Sequence, residues 1–224
     1  MGVIVAVDGP AGSGKSSVSR AAAEALGFAF LDTGAAYRAL AWSVLERGAD
    51  PEDAAAVEAS LDGFALDVAE DPAERWVRVG AEDVTDAIRT PRVTAAVSGV
   101  ARVPAVRSRL NEGFRARLAA AEPGVVAEGR DITTVVAPDA TVRVLLTASP
   151  EVRAARRAKE LPEEDHHDVA RSIAERDARD SRVVDFLEAA DGVTTLDSTN
   201  LDFDGTVAAL VALVREAAGL EPVT

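Results

Sequence analysis

Val3-Ile4-Val5-Ala6-Val7-Asp8 runs without a break into Gly9-Pro10-Ala11-Gly12-Ser13-Gly14-Lys15-Ser16-Ser17, and this stretch decides the fold. A short, uninterrupted apolar run followed by turn residues is the pattern of a strand buried on both faces of a parallel sheet. The glycines at 9, 12 and 14 let the backbone curl until successive N–H groups face one point, and such a concavity binds an anion. A helix beginning near Lys15 adds the positive end of its dipole. Lys15 is then placed to reach the β- and γ-phosphates of a nucleotide, and the Ser16 hydroxyl to hold Mg²⁺. Residues Gly9 to Ser17 are therefore the expected triphosphate site.

Working outward, strands and helices alternate. The first helix ends near Leu26-Gly27, and Phe28 to Leu31 reads as a strand stopping at Asp32-Thr33-Gly34. Helical spacing runs from Ala35 to Arg47, Gly48 ends it, and Pro51 is expected to open a short helix. Residues 61–84 change character: Phe64, Leu66, Val68, Trp76, Val77 and Val79 around Asp71-Pro72 predict a small antiparallel insertion. Prolines near the first turn predict helices over 90–101 and 104–121, and Gly124–Glu128 and Thr141–Thr147 read as strands. Ser149-Pro150-Glu151 caps the next helix, Pro162–His167 reads as a polar loop, and Asp168 to about Ala190 as helix. Val193–Leu196 is the last expected strand and Phe203–Ala218 the last helix. The fold class is α/β: one domain over 1–224, a parallel sheet covered by helices, with excursions near 60–85 and 155–170. Ligands of such sheets bind outside the carboxyl ends of the strands.

Composition narrows the partners. The 224 residues are 48% hydrophobic, ample for a core, and contain no cysteine, which excludes disulfides, thiolate metal sites and a thiol nucleophile. The formal charge of −14 repels nucleic acid polymers and anionic membranes. No basic leader precedes the first strand, and no apolar run approaches the roughly 18 residues of a membrane span. A cytoplasmic protein is expected. Only Lys15 and Lys159 are lysines; the other basic residues are arginines, whose planar fork grips phosphate.

Further candidates follow the strands. Asp32-Thr33-Gly34-Ala35-Ala36-Tyr37-Arg38 places the Thr33 hydroxyl at a helix N-cap with Tyr37 and Arg38 one turn on, a second anion site or an ordinary capped helix. Glu128-Gly129-Arg130-Asp131 brings an arginine and a carboxylate to a strand end, as a site or as a turn cap. Arg153, Arg156 and Arg157 share one helix face, aimed at a phosphate chain or paired in solvent with Glu151 and Glu160. Arg176, Asp177, Arg179 and Asp180 form either a further site or internal salt bridges. His166-His167 reads as a solvated pair, and Trp42 and Trp76 as core or platform residues.

Together GPAGSGKSS, DTGAAYR, EGRDITTVV, RAARR and ERDARDSR, in this order from residue 3 to about 200, resemble the bacterial cytidylate kinase family. The resemblance implies a nucleoside monophosphate kinase fold: a five-stranded parallel sheet, a monophosphate-binding lobe over 34–122 carrying the antiparallel insertion, and a short lid over 155–170. It implies transfer of the γ-phosphoryl group of Mg·ATP to CMP or dCMP, in a monomer. Ser98, Arg107 and Asp131 would read cytosine. Thr33, Arg38 and Arg130 would hold the acceptor phosphate, Arg176 and Asp180 the ribose, Tyr37 and Arg182 would bind substrate as well, and Arg153 and Arg157 would be lid arginines. Lys15, Arg130, Arg153 and Arg157 would carry the catalysis. Such chemistry asks for positioning and charge neutralisation, with no covalent nucleophile.

Two departures stand out. Thr133 occupies a position where the family usually has glycine, and a positive φ there would strain it or displace Asp131. Arg182 follows Asp180 by two residues where the family pattern has three. The helix is expected to end or distort near Ser181 and return Arg182 to the acceptor. A nucleotide-driven switch protein, or a kinase with UMP, shikimate or another small alcohol as acceptor, remain the competing readings. No N-K-x-D guanine-reading motif supports the first, and EGRD opposes the second.

Overall fold

The computed structural model describes residues 2–160, 166–182 and 185–221, the side chains at 160, 166–169, 172 and 176 excepted. In chain order the elements are β1 (Val3–Asp8), α1 (Lys15–Leu26), β2 (Ala29–Asp32), α2 (Thr33–Glu46), α3 (Ala54–Ala59), β3 (Leu66–Val68), β4 (Val77–Val79) and β5 (Glu82–Asp83). There follow α4 (Pro91–Ala101), α5 (Pro104–Ala120), β6 (Gly124–Gly129), β7 (Val142–Thr147), α6 (Pro150–Glu160), α7 (His166–Asp180), β8 (Thr194–Asp197) and α8 (Phe203–Ala218). A 3₁₀ turn at Ala87–Arg89 and a π turn at Ile132–Val136 complete the set.

β1 sits in the middle of a five-stranded sheet of order β2-β6-β1-β7-β8, and every pairing in it is parallel. Its alternating side chains feed two separate layers, as the two-residue period of a strand requires. Val5 and Val7 join Phe30, Val126, Val144 and Leu146 under α1 and α8, against Val18, Ala22, Leu210 and Val214. Ala6 faces the other way, with Leu31, Val125 and Ala127, onto Ala36 and Leu40 of α2 and Val100, Val106 and Leu110 of α4 and α5. Burial of this apolar surface from both sides supplies the main driving force for the fold. The small antiparallel sheet β3-β4-β5 is the expected insertion, packed beside α2 through Val68 and Val77. Trp42 is half-buried against the same layer, and Arg78 stacks on Trp76 at 4.7 Å.

Register fixes the site. Asp8 lies opposite Gly129 and Asp32 opposite Glu128, so the carboxyl ends of β1, β2 and β6 finish level and deliver their acidic residues to one edge. The turn into α1 passes through Gly14 at φ 85°, a left-handed conformation that glycine adopts without strain.

Several expected boundaries are corrected. Asp32 is the N-cap of α2, its carboxylate accepting from Ala35 N at 2.8 Å, so Thr33 lies inside the first turn instead of capping it. Both residue types cap well, and the strand delivers the aspartate first. α3 begins at Ala54 under an Asp53 cap, not at Pro51. α7 stops at Asp180, ten residues short of the expected Ala190, and Phe186 beyond it is buried in irregular chain. His166 and His167 belong to the backbone of α7, while residues 161–165 of the expected polar loop and lid lie outside the described residues. Among the described residues no helix is long and apolar enough to cross a membrane.

Candidate active site

A cleft of about 610 Å³ opens at the carboxyl edge of the sheet. One wall is the loop between β1 and α1, of which Ala11, Gly12 and Gly14 to Ser17 face the cleft. The other is built by Thr33, Gly34, Tyr37 and Arg38 of α2, Thr94 and Ser98 of α4, and Arg107 of α5, with Glu128–Asp131 at the base. Arg157, Arg179 and Asp180 come in from α6 and α7. Gly9, Pro10 and Ser13 of the loop between β1 and α1 do not line the cleft.

At the base, Ser16 Oγ donates to Glu128 Oε1 at 2.6 Å, and Lys15 Nζ stands 3.8 Å from Glu128 Oε2. Glu128 is 2% exposed. Burial pushes its carboxyl up to about 7; Lys15 and Ser16 oppose this, and the Asp32 carboxylate reinforces it. A hydroxyl and a carboxylate side by side are hard oxygen donors suited to Mg²⁺. Among the described residues no three acidic, histidine or cysteine side chains gather round a point. Phosphate oxygens and water would complete such an ion's shell, the usual arrangement for Mg²⁺ beside a nucleotide.

Opposite the loop, Arg38 is held by Ile88 O at 3.2 Å and Thr94 Oγ1 at 2.8 Å, and burial lowers its guanidinium from the ordinary value. Thr33 Oγ1 donates to Glu128 O at 2.8 Å. The Tyr37 hydroxyl is buried without a hydrogen-bond partner among the described residues; burial, helped by Asp131, raises it to about 12. Asp131 is 5% exposed and pairs with Arg107 Nη2 at 2.5 Å. Burial raises its carboxyl and Arg107 opposes the rise. Ser98 Oγ turns to Asp180 Oδ1 at 2.9 Å instead of to Asp131.

The arginines diverge. Arg130 Nη1 donates to Gly9 O, its Nε reaches Asp180 Oδ2 at 3.3 Å, and its guanidinium stacks on Phe186 at 4.5 Å. Arg153, Arg156 and Arg157 share a helix face but do not all aim at a phosphate chain, which corrects that expectation. Arg153 Nη1 binds Ala11 O at 2.9 Å and Asp177 Oδ2 at 2.5 Å, under the loop and away from the cleft lining. Arg156 binds Ser13 O at 3.0 Å, Ser198 Oγ at 2.9 Å and Leu201 O at 3.2 Å, stapling the loop to the chain after β8. Only Arg157 of the three lines the cleft. The loop lies against this face of α6, and its carbonyls at Ala11 and Ser13 take up Arg153 and Arg156.

A family model for cytidylate kinase matches residues 5–216. The chain belongs to the cytidylate kinase family. It is 44% identical over 215 residues to the cytidylate kinase of Streptomyces avermitilis, covering 96% of this chain and 93% of that one. It is 48% identical over 217 residues to the cytidylate kinase of Cutibacterium acnes, covering 95% and 96%. Among solved structures, a gluconokinase from Sinorhizobium meliloti aligns over 98% of this chain and 95% of its own at a TM-score of 0.50, and at 19% identity this speaks to the fold alone. The P-loop α/β architecture read from the first seventeen residues is the architecture of this cytidylate kinase.

Within it, the cleft brings together Lys15, Ser16, Thr33, Tyr37, Arg38, Ser98, Arg107, Arg130, Asp131, Arg157 and Asp180. Arg182 is exposed and does not line the cleft, whereas Arg179, one turn earlier, does. The break expected at Ser181 is where α7 stops, but the chain there does not carry Arg182 inward. The Arg176 side chain lies outside the described residues. Thr133 carries no positive φ, because no non-glycine among the described residues does, so the anticipated strain is absent. Sequence reading gave no role to Glu128 or Asp32, both of which line the cleft; it left Asp177 open between a site and an internal salt bridge, and Asp177 lies under the loop, paired with Arg153 and outside the lining. For Glu128 the signal was available: a carboxylate closing the strand next to the phosphate-loop strand is where P-loop proteins place their second metal ligand.

Proposed function

We propose that this cytidylate kinase transfers the γ-phosphoryl group of Mg·ATP to CMP or dCMP through the residues of this one cleft. The observation that carries the reading is the pairing of Asp131 with Arg107 in the cleft that Lys15, Ser16 and Glu128 also line. A carboxylate accepts from the N4 amino group of cytosine but meets an acceptor oxygen on uracil, so the wrong base suffers repulsion as well as a lost bond. Arg107 opposes the rise that burial gives the Asp131 carboxyl and orients it for that contact. Thr33, Tyr37, Arg38 and Arg130 receive the acceptor phosphate, and Ser98 and Asp180 its nucleoside. Ser16 and Glu128 would hold Mg²⁺, which supplies charge neutralisation at the β- and γ-phosphates when bound.

The residues work by position. The loop N–H groups and Lys15 fix the donor phosphates, Arg130 and Arg157 bring positive charge to the transferring group, and the acceptor lobe sets the attacking oxygen in line. Residues 34–122 act as the monophosphate lobe and 155–170 as the lid, whose closure excludes water as a rival acceptor. The enzyme acts as a cytoplasmic monomer.

The test is a Mg·ATP-coupled assay over a panel of nucleoside monophosphates. CMP and dCMP should give the highest kcat/KM, and Asp131→Asn should narrow the CMP-to-UMP ratio by about tenfold or more, the scale of one base-edge contact. Equal or better use of UMP, AMP or GMP by the unaltered enzyme would overturn the assignment.

A further inference from the structure

Asp8 closes β1 one residue before the phosphate loop and is 2% exposed, yet it does not line the cleft. Its carboxylate is fully occupied by the neighbouring segment. Oδ1 accepts from Ile132 N at 2.9 Å; Oδ2 accepts from Thr133 N at 2.8 Å and from Thr133 Oγ1 at 2.6 Å. Burial raises the Asp8 carboxyl, and these three donors oppose the rise. On the other side of Asp131, Arg130 Nη1 donates to Gly9 O. Asp131 therefore sits between two residues that each grip the start of the phosphate loop.

Local backbone makes this grip necessary. Asp131 has φ −142° and ψ 22°, outside the regular helical and strand regions, and its chain then enters the π turn Ile132–Val136. A π turn is an uncommon element, and the N–H groups of its first turn have no partner within it. Ile132 N and Thr133 N are among the free N–H groups at its start, and Asp8 satisfies both. The threonine hydroxyl adds a third bond that no glycine or alanine at 133 can make.

We propose that Asp8 and Thr133 are positioning residues for acceptor-base recognition: their hydrogen-bonded seam fixes the π turn and hence the Asp131 carboxylate relative to the phosphate loop. This rests on the reading of Asp131 as the cytosine-reading group. Neither residue touches substrate; they act through Asp131 and its Arg107 partner. The seam spans β1 and β6, whose Asp8 and Gly129 lie in register, so a shift of the acceptor segment has to break charged hydrogen bonds as well as slide along the sheet.

The experiment compares Thr133→Val, which removes only the hydroxyl, with Thr133→Ser, which restores it, in the full chain. Steady-state kinetics with CMP and UMP are measured alongside thermal melting. Thr133→Val should raise KM for CMP about tenfold and lower the CMP-to-UMP ratio of kcat/KM by a similar factor, the scale of one hydrogen bond to a charged group. KM for ATP should stay within about twofold, and Thr133→Ser should return the CMP values toward those of the unaltered enzyme. Asp8→Asn should show the same CMP-specific defect, and it provides a second route if Thr133→Val folds poorly. Unchanged CMP kinetics and selectivity in Thr133→Val, or equal losses for ATP and CMP that follow the melting temperature, would overturn the proposal and leave the seam a structural bond. Failure of the Asp131 reading looks different: the unaltered enzyme would itself lack a preference for CMP over UMP.

Discussion

Replacing Glu128 by glutamine should stabilise the ligand-free protein while disabling it. The carboxyl is 2% exposed, bonded to Ser16, and raised from its usual 4.5 to about 7, first by burial and further by Asp32. A carboxyl whose folded value lies above its unfolded one favours folding in its protonated form. Stability is therefore lost as pH rises through 4.5 to 7, and the full cost is present above 7. With about 1.4 kcal/mol per decade of proton concentration, burying Glu128 costs roughly 1 kcal/mol at pH 5, where only the unfolded chain ionises it, and roughly 3 kcal/mol at pH 8, where both states do. Glutamine keeps the acceptor for Ser16, offers its amide to Asp32, and cannot ionise. Glu128→Gln should thus melt above the unaltered protein by about 2–4 °C per kcal/mol recovered, the gap widening from pH 5 to pH 8. Comparing the two proteins removes the parallel contributions of Asp8 and Asp131, whose carboxyls are also raised by burial. The same variant should lose on the order of 10²–10³ in kcat, and Mg·ATP should raise its melting temperature less than it raises that of the parent. A melting gap that does not grow with pH, or a variant with full activity, would refute the picture of a charge held at a cost for the nucleotide.

The sheet and its order of elements were legible because the signals are local. Val3–Asp8 is apolar without interruption, the glycines that follow have few other uses, and proline or glycine punctuates most helices. Boundaries failed where two residues of the same aptitude are adjacent: Asp32 and Thr33 both cap helices, and only the register of β2 against β6 decides between them. α7 was read too long because Asp185 to Ala190 has helix-compatible spacing, whereas Phe186 leaves that face to lie under the Arg130 guanidinium. In the site, motif residues were placed well when one strand end or one helix carries them, as for Lys15, Ser16, Arg38 and Asp131. Partners that meet only in three dimensions stayed hidden. Asp177 is the clearest case: it accepts from Ala11 N at 2.9 Å, 166 residues away in the chain, and from Arg153. No spacing rule on one helix could show that α7 and the phosphate loop share an aspartate, nor that Arg153 would be spent there instead of over the cleft.

Lys15→Ala should act chiefly on kcat, by on the order of 10³-fold, because the ammonium meets charge that shifts during transfer; a variant with normal kcat and only weaker ATP binding would make the loop a tether. The two arginines at the end of α7 give the sharpest contrast. Had the chain beyond Asp180 turned inward, Arg182 would reach the acceptor phosphate, but the helix stops at Asp180 and Arg182 is exposed outside the cleft lining, while Arg179 faces it. Arg179→Ala should therefore raise KM for CMP by about tenfold, the scale of a charge-assisted bond, and Arg182→Ala should stay within about twofold of the parent, as exposed surface charges do. The reverse ranking would mean that substrate binding rebuilds the turn at Ser181 and draws Arg182 inward, and the cleft as described would then be an open form of the acceptor site.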